Sequence, residues 1–97
     1  MKLRFTPRAV ADLTATADYL RERNPTAAAS VRAAILESLQ LLLRFPRLGR
    51  TQSVQGVRKL VTRKYGYLAY YKLDEEAEEI VVLTIQHAAR TRRYSDA

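Results

Sequence analysis

The sequence has no cysteine and a single histidine, His87. Without thiols there is no disulfide framework, no thiol nucleophile and no thiolate metal ligand. A lone histidine with no cysteine or second histidine to work with argues against a zinc or other metal site, so neither metal nor cofactor is expected. No Ser-His-Asp or Cys-His arrangement can be assembled. No apolar run approaches the ~20 residues that span a bilayer, and Met1-Lys2-Leu3-Arg4-Phe5-Thr6-Pro7 lacks the apolar stretch of a signal peptide. The expected location is therefore the cytoplasm, with no membrane partner. Glycine-rich phosphate loops, internal repeats and low-complexity tracts are also missing.

What is present is an ordinary globular mixture, 47% hydrophobic and 28% charged, in 97 residues. That length is enough for one modest core and too small for two, so residues 1–97 are read as one domain. The net charge is +7, which favours a polyanion or an acidic protein as partner without choosing between them. Arg44, Arg47, Arg50, Arg58, Lys59, Arg63, Lys64, Lys72, Arg90, Arg92 and Arg93 all fall from residue 44 onward, whereas Glu75, Glu76, Glu78 and Glu79 are packed into one short stretch. This pattern reads as an acidic turn kept apart from a basic surface.

Lys2 to Phe5 reads as a strand. Thr6-Pro7 follows as a hydroxyl N-cap with proline at the first helical position, where its missing N–H costs nothing. Val10, Leu13, Ala17 and Leu20 form one apolar stripe, with Arg8, Asp12, Tyr19 and Arg23 predicted to point away. Asn24-Pro25 repeats the cap signal, so a second helix begins at once and the two form an αα-hairpin. It is predicted to run to about Phe45, with Ala28, Val31, Ile35, Leu39, Leu42 and Phe45 on a broad face that Leu36, Leu41 and Leu43 widen. Pro46 and Gly49 break it, and residues 47–56 read as a connecting loop.

Three strands follow by pattern, Val57 to Thr62, Tyr67 to Leu73 and Ile80 to Gln86, predicted as an antiparallel meander. In the last, alternation places Val81, Leu83, Ile85 and His87 on one face and Ile80, Val82, Thr84 and Gln86 on the other. Apolar residues on both faces mark it as a central strand. The stretch from Ala88 to Ala97 has no clear period and is expected to fray.

His87 is the one side chain whose ordinary pKa suits proton transfer near neutrality. Arg90, Arg92 and Arg93 follow closely and would stabilise the charge of a phosphorane, as RNA cleavage through its own 2′-hydroxyl requires. The plainer reading is that His87 ends a strand and packs there. Tyr65, Tyr67, Tyr70 and Tyr71, interleaved with Arg63, Lys64 and Lys72, would stack bases and hold phosphates or act as ordinary strand formers. The second reading is favoured for Tyr67 and Tyr71, and Tyr70 stays open.

The order of strand, helical hairpin and three strands resembles the RelE/ParE toxin superfamily, and particular words carry the likeness. Phe45-Pro46-Arg47-Leu48-Gly49-Arg50 resembles its hairpin-to-sheet loop, and Gly56-Val57-Arg58-Lys59-Leu60-Val61 its following strand. Tyr67-Leu68-Ala69-Tyr70-Tyr71-Lys72 is similar to its middle strand, and Ile85-Gln86-His87-Ala88-Ala89-Arg90 to the ending of ParE-like members. The resemblance implies an α+β fold and the toxin of a type II toxin–antitoxin system, neutralised as a hetero-oligomer by an antitoxin encoded beside it. ParE-like members poison DNA gyrase without a known hydrolytic site. RelE-like members cut messenger RNA on the ribosome.

Where RNA-cleaving members often carry an arginine in the middle strand, this chain has Leu68. Leucine cannot stabilise a phosphorane, which favours the gyrase reading and a chain that is not an enzyme. Under that reading Arg50, Lys59, Tyr70, Arg92 and Arg93 contact the target. Under the nuclease reading His87 moves protons and Arg90, with Arg58 or Arg63, stabilises charge. Under either, Tyr19, Leu36, Leu43 and Val82 meet the antitoxin. A stand-alone basic nucleic-acid module is the third possibility, and its affinity would fall steeply with salt.

Overall fold

In a computed structural model of the protein, residues 1–62 and 64–88 are described. Arg63, Arg90, Arg92 and Arg93, with the rest of the stretch from residue 89 on, lie outside the described residues. The two proline-led caps divide the N-terminal half as the sequence predicts. Strand β1 (Lys2–Phe5) stops at Thr6, whose hydroxyl accepts the Ala9 amide at 3.1 Å, and Pro7 opens helix α1 (Pro7–Arg23). Asn24 closes α1 by donating its amide to the Leu20 carbonyl. Its side chain then accepts the Ala27 amide at 3.2 Å and starts helix α2 (Pro25–Leu41). One residue thus makes the whole connection between the helices.

Thr6 has a second task, since its hydroxyl donates to the Leu83 carbonyl at 2.7 Å and ties the helix start to the sheet. Replacing a hydroxyl cap by alanine costs about 1 kcal/mol, and the tie to Leu83 adds a hydrogen bond of about the same size. Thr6→Ala should therefore lower the urea midpoint by an amount corresponding to ~1–2 kcal/mol with an unchanged m-value. A midpoint that does not move would contradict this double role.

Helix α2 stops four residues before the predicted end. The amides of Leu42, Leu43 and Arg44 bond three residues back, to Leu39, Gln40 and Leu41, so the chain tightens as it leaves the helix. Pro46 disfavours helical geometry at Phe45, and the early turn takes that ring off the buried face. Phe45 is 55% exposed, whereas Leu42 is fully buried.

The C-terminal half forms β2 (Arg50–Thr51), β3 (Val57–Val61), β4 (Tyr67–Asp74) and β5 (Glu79–His87). The sheet order is β1-β5-β4-β3-β2, antiparallel except for the parallel pairing of β1 with β5. The α+β fold is the expected one, with β5 inside the sheet. The addition is β2, which lacks any apolar alternation and exists through its pairing of Arg50 with Lys59 and Thr51 with Arg58.

One face of the sheet packs on the helices. Leu60, Ala69, Tyr71, Ile80, Val82 and Ile85 meet Ala9, Val31, Ile35, Leu39 and Leu42, with Leu3, Phe5, Leu13 and Leu20 at the margin. On the opposite face Val57, Leu68 and Tyr70 form a smaller cluster with Leu83.

Two expectations about facing are corrected here. Strict alternation fails in β5, because Tyr70 pairs with Thr84 but Tyr71 with Val82, leaving Leu83 as an extra residue. Ile80, Val82 and Ile85 consequently share the helix-facing side. In α1 it is Val10, not Asp12, that faces solvent: Val10 is 52% exposed. β1 pairs with β5 only as far as Phe5 opposite Val82, so the edge of β5 beyond that point needs another partner. Asp12 supplies it, one carboxylate oxygen accepting the Ile85 amide at 2.9 Å and the Thr84 hydroxyl at 2.5 Å. Arg8 holds the other oxygen at 3.3 Å.

Candidate target-binding surface

The loop between α2 and β2 is fixed from below by two side chains. Tyr71 of β4 is fully buried, and its hydroxyl donates to the Pro46 carbonyl at 2.9 Å while accepting the Gly49 amide at 2.8 Å. Arg58, opposite Tyr71 on β3, donates one guanidinium nitrogen to the Gly49 carbonyl at 2.8 Å and to the Arg47 carbonyl at 3.2 Å. Gly49 is required by closeness, since a Cβ there would lie 2.5 Å from the Tyr71 ring. Arg58 therefore serves as a brace beneath the loop and points at carbonyls.

Burial raises the Tyr71 hydroxyl pKa above its ordinary 10.0, against the opposing pull of the Gly49 amide and the Arg58 charge, and burial also raises that of Tyr70. A group whose folded pKa lies above its unfolded value contributes stability that is complete below the unfolded pKa and is lost as pH rises through the folded one. The melting temperature should therefore hold up to about pH 10 and fall beyond it. Ultraviolet titration should show two phenolates appearing only with unfolding. Phenolate formation at all tyrosines before the structure melts would contradict the assignment.

On the opposite face of the sheet Arg50 of β2 sits directly across from Lys59 of β3, which in turn pairs with Tyr70 of β4. Like charges directly opposite one another are unfavourable in a sheet. Among the described residues neither cation has a carboxylate within ion-pair distance. Arg50 is exposed and Lys59 half-buried. Tyr70 does not join them as a contact residue, because its ring is fully buried with Val57 and Leu68. Alternation along β4 puts it on the right face, but the packing of that face closes it off.

His87 ends β5 and pairs with Tyr67, their rings edge to face with centroids 5.1 Å apart. Its imidazole lies over the turn at Gly66, whose carbonyl accepts the Ala88 amide at 2.7 Å. Tyr67, beside His87, and Tyr71, beside Arg58, are four positions apart on β4, about 13 Å at ~3.3 Å per residue. His87 and Arg58 are thus not brought together.

Of the residues expected to meet an antitoxin, Tyr19 is 45% exposed with the Arg23 guanidinium 3.8 Å above its ring, and Leu43 is 40% exposed. Leu36 is half-buried and lines a groove of about 380 Å³ between the helices, with Phe5, Val10, Leu13, Arg21 and Arg32. Val82 is corrected, because the extra residue in β5 keeps it in the main core, fully buried beneath the helices.

Sequence reasoning missed Asp12 and the Tyr71–Gly49–Arg58 brace. The one available signal for the brace was an isolated glycine three residues after a proline.

Comparison with known proteins completes the assignment. A family described as the ParE toxin of the type II toxin–antitoxin system parDE matches residues 3–92. The chain belongs to the ParE toxin family. A candidate toxin of Sinorhizobium fredii, Y4kP, is 31% identical over 87 residues, covering 90% of this chain and 88% of the relative.

Among solved structures, the chromosomal ParDE system of P. aeruginosa superposes with a TM-score of 0.78 at 29% identity, covering 90% of this chain and 95% of that one. The toxin in the intact E. coli RelBE toxin–antitoxin complex superposes at 0.68 and 22% identity over 91% and 96% of the two chains, a likeness of fold. This ParE-family chain is thus the toxin of a ParDE/RelE-type system. In such terms the braced loop and the Arg50–Lys59 pair form its rigid cationic side.

Proposed function

We propose that this ParE-family chain inhibits bacterial growth by binding DNA gyrase, cleaves no RNA, and is kept inactive by an antitoxin encoded beside it. The observation that carries this reading is the separation, among the described residues, of His87 from Arg58, two of the groups that RNA cleavage would need. His87 packs on Tyr67 about 13 Å along the strand from the position of Arg58, and Arg58 is engaged with the carbonyls of Arg47 and Gly49. Between them, Leu68 occupies the middle-strand position at 8% exposure.

General acid–base chemistry needs its groups within hydrogen-bond reach of one scissile bond, and among the described residues His87 and Arg58 do not meet that requirement together. Arg50 and Lys59 then serve as contacts to an anionic target. The higher TM-score to a ParDE toxin supports the same choice. The antitoxin is assigned to the helical side, at Tyr19 and in the groove at Leu36.

Purified chain added to a gyrase supercoiling reaction should block supercoiling. The Arg50→Glu/Lys59→Glu variant should weaken the block by about tenfold or more, whereas His87→Ala should leave it intact. Unimpeded supercoiling at saturating protein would sink the proposal.

A further inference from the structure

Three cations share the sheet face turned away from the helices. Arg50 of β2 sits across from Lys59 of β3, and Lys72 of β4 lies two residues beyond Tyr70, the partner of Lys59. Alternation gives Lys72 the side occupied by Leu68 and Tyr70. It lines a cleft of about 570 Å³ there with Arg4, Val81 and Leu83. At ~4.8 Å between strands and ~3.3 Å per residue, the three cations run diagonally over about 12 Å. Arg4 continues the line across Val81 but is already paired with Glu79 at 3.0 Å. Among the described residues Arg50, Lys59 and Lys72 have no carboxylate within ion-pair distance. Neighbouring like charges raise the energy of the free chain, and an anion laid along the diagonal would relieve it.

What lies between the cations decides the kind of anion. Val57, Leu68, Tyr70 and Val81 are 3%, 8%, 0% and 8% exposed, so the apolar groups of this face are packed on one another before any partner arrives. A protein partner is held by an apolar centre inside a polar rim. Here the cations lie at the centre, and among the described residues only Val61, at the far end of β3, offers this face a well-exposed large apolar group. Tyr70 is closed in, so its ring is not free to stack a base. Cations in a row without these features suit a phosphate backbone, which is held by charge and carries no sequence information. The acidic turn bounds the row, because Asp74, Glu75 and Glu76 line the same cleft beyond Lys72. A polyanion is thereby turned across the strands, from β4 towards β2.

Resting on the gyrase reading above, we infer that Arg50, Lys59 and Lys72 hold phosphates of the duplex DNA on which gyrase acts, and not an acidic surface of gyrase itself. The chain then grips the enzyme's substrate without regard to its sequence.

Binding to a short fluorescent duplex, measured without gyrase over a range of sodium chloride concentrations, reads these contacts directly. Each phosphate neutralised contributes about 0.9 to the slope of log affinity against log salt. Lys72→Ala should therefore reduce the steepness of that slope by about 0.9, and Arg50→Ala/Lys59→Ala/Lys72→Ala by about 2.7, equally for duplexes of unrelated sequence. Lys64→Ala removes the same charge from the turn beside α2 and should leave the slope in place. Lys72→Gln repeats the single measurement should Lys72→Ala lower the melting temperature. A photo-crosslinking amino acid at position 61, two residues from Lys59 on the same face, should attach to DNA when gyrase and relaxed plasmid are both present.

Slopes that change as much in Lys64→Ala as in Lys72→Ala, or attachment from position 61 to a gyrase subunit, would overturn the inference. A wild-type chain that binds duplex with these slopes but leaves supercoiling unimpeded would instead strike the proposed function, with the three phosphate contacts still standing.

Discussion

Gly49→Ala should destabilise the protein by about 2–4 kcal/mol, more than any other single methyl added to its surface loops. The new Cβ would be built 2.5 Å from the Tyr71 ring and 2.6 Å from its hydroxyl oxygen, inside any real contact distance. Tyr71 has no room to yield, because it is fully buried in the core against the helices. Either the ring or the loop must move. Overpacking of this kind costs ~1–3 kcal/mol, and displacement of the loop also breaks the bonds to Pro46 and Gly49, at about 1 kcal/mol each.

Tyr71→Phe separates the two contributions, since it keeps the ring and deletes both hydrogen bonds, for ~1–3 kcal/mol. The double variant should lose less than the sum of the single losses, because both changes act on one contact. Thermal unfolding of the four proteins measures this directly. A Gly49→Ala protein that melts within a degree or two of wild type would mean that the loop is not held as described.

Asp12→Ala should be the other severe change, at about 2–4 kcal/mol. Its carboxylate is the acceptor for the Ile85 amide and the Thr84 hydroxyl, and hydrogen bonds to a charged group contribute ~1.5–3 kcal/mol each, with the larger cost coming from the donors left unpaired. The site lies where β1 has ended and α1 crosses the edge of β5, so the loss should be local as well as global. Amide exchange at Ile85 should accelerate far more than at Thr6, whose amide donates to the Val82 carbonyl at 3.0 Å. Asp12→Asn retains an acceptor and should recover part of the loss. Stability within ~0.5 kcal/mol of wild type in Asp12→Ala, the range of ordinary surface changes, would show that the sheet edge needs no such partner.

Where local chemistry determines local structure, the sequence was readable. Thr6-Pro7 and Asn24-Pro25 mark both helix starts, and the caps form as their side chains dictate. The three long strands follow from their apolar runs between turn residues, and their order with the helices, together with the sequence words at residues 45–50, 56–61, 67–72 and 85–90, carries the resemblance to the superfamily. Features that depend on a partner far along the chain were not readable. β2 is a strand only because Lys59 and Arg58 lie beside it. Periodicity alone assigned Asp12 to solvent and Val10 to the core, because it does not register where β1 ends. The extra residue at Leu83 reverses the facing of everything after it, so Val82 shares the buried face with Ile85, whereas strict alternation grouped it with Thr84 and Gln86.

The candidate site shows the same division. Lys59 was legible as a cation on a strand and Arg50 only as one in a connecting loop, because their pairing exists through the register of β2. Arg58 is expected to stabilise charge in the nuclease reading, but its guanidinium lies beneath the loop on the carbonyls of Arg47 and Gly49. Tyr70 occupies the expected face and is nevertheless closed to solvent.

The central claim is that this cationic face binds and does not cut. Its most direct test is to incubate the purified chain with ribosomes programmed with a defined messenger, and in parallel with gyrase and relaxed plasmid. The account predicts full-length messenger at protein concentrations that leave the plasmid relaxed. Messenger cut within the ribosome while gyrase supercoils normally would contradict it.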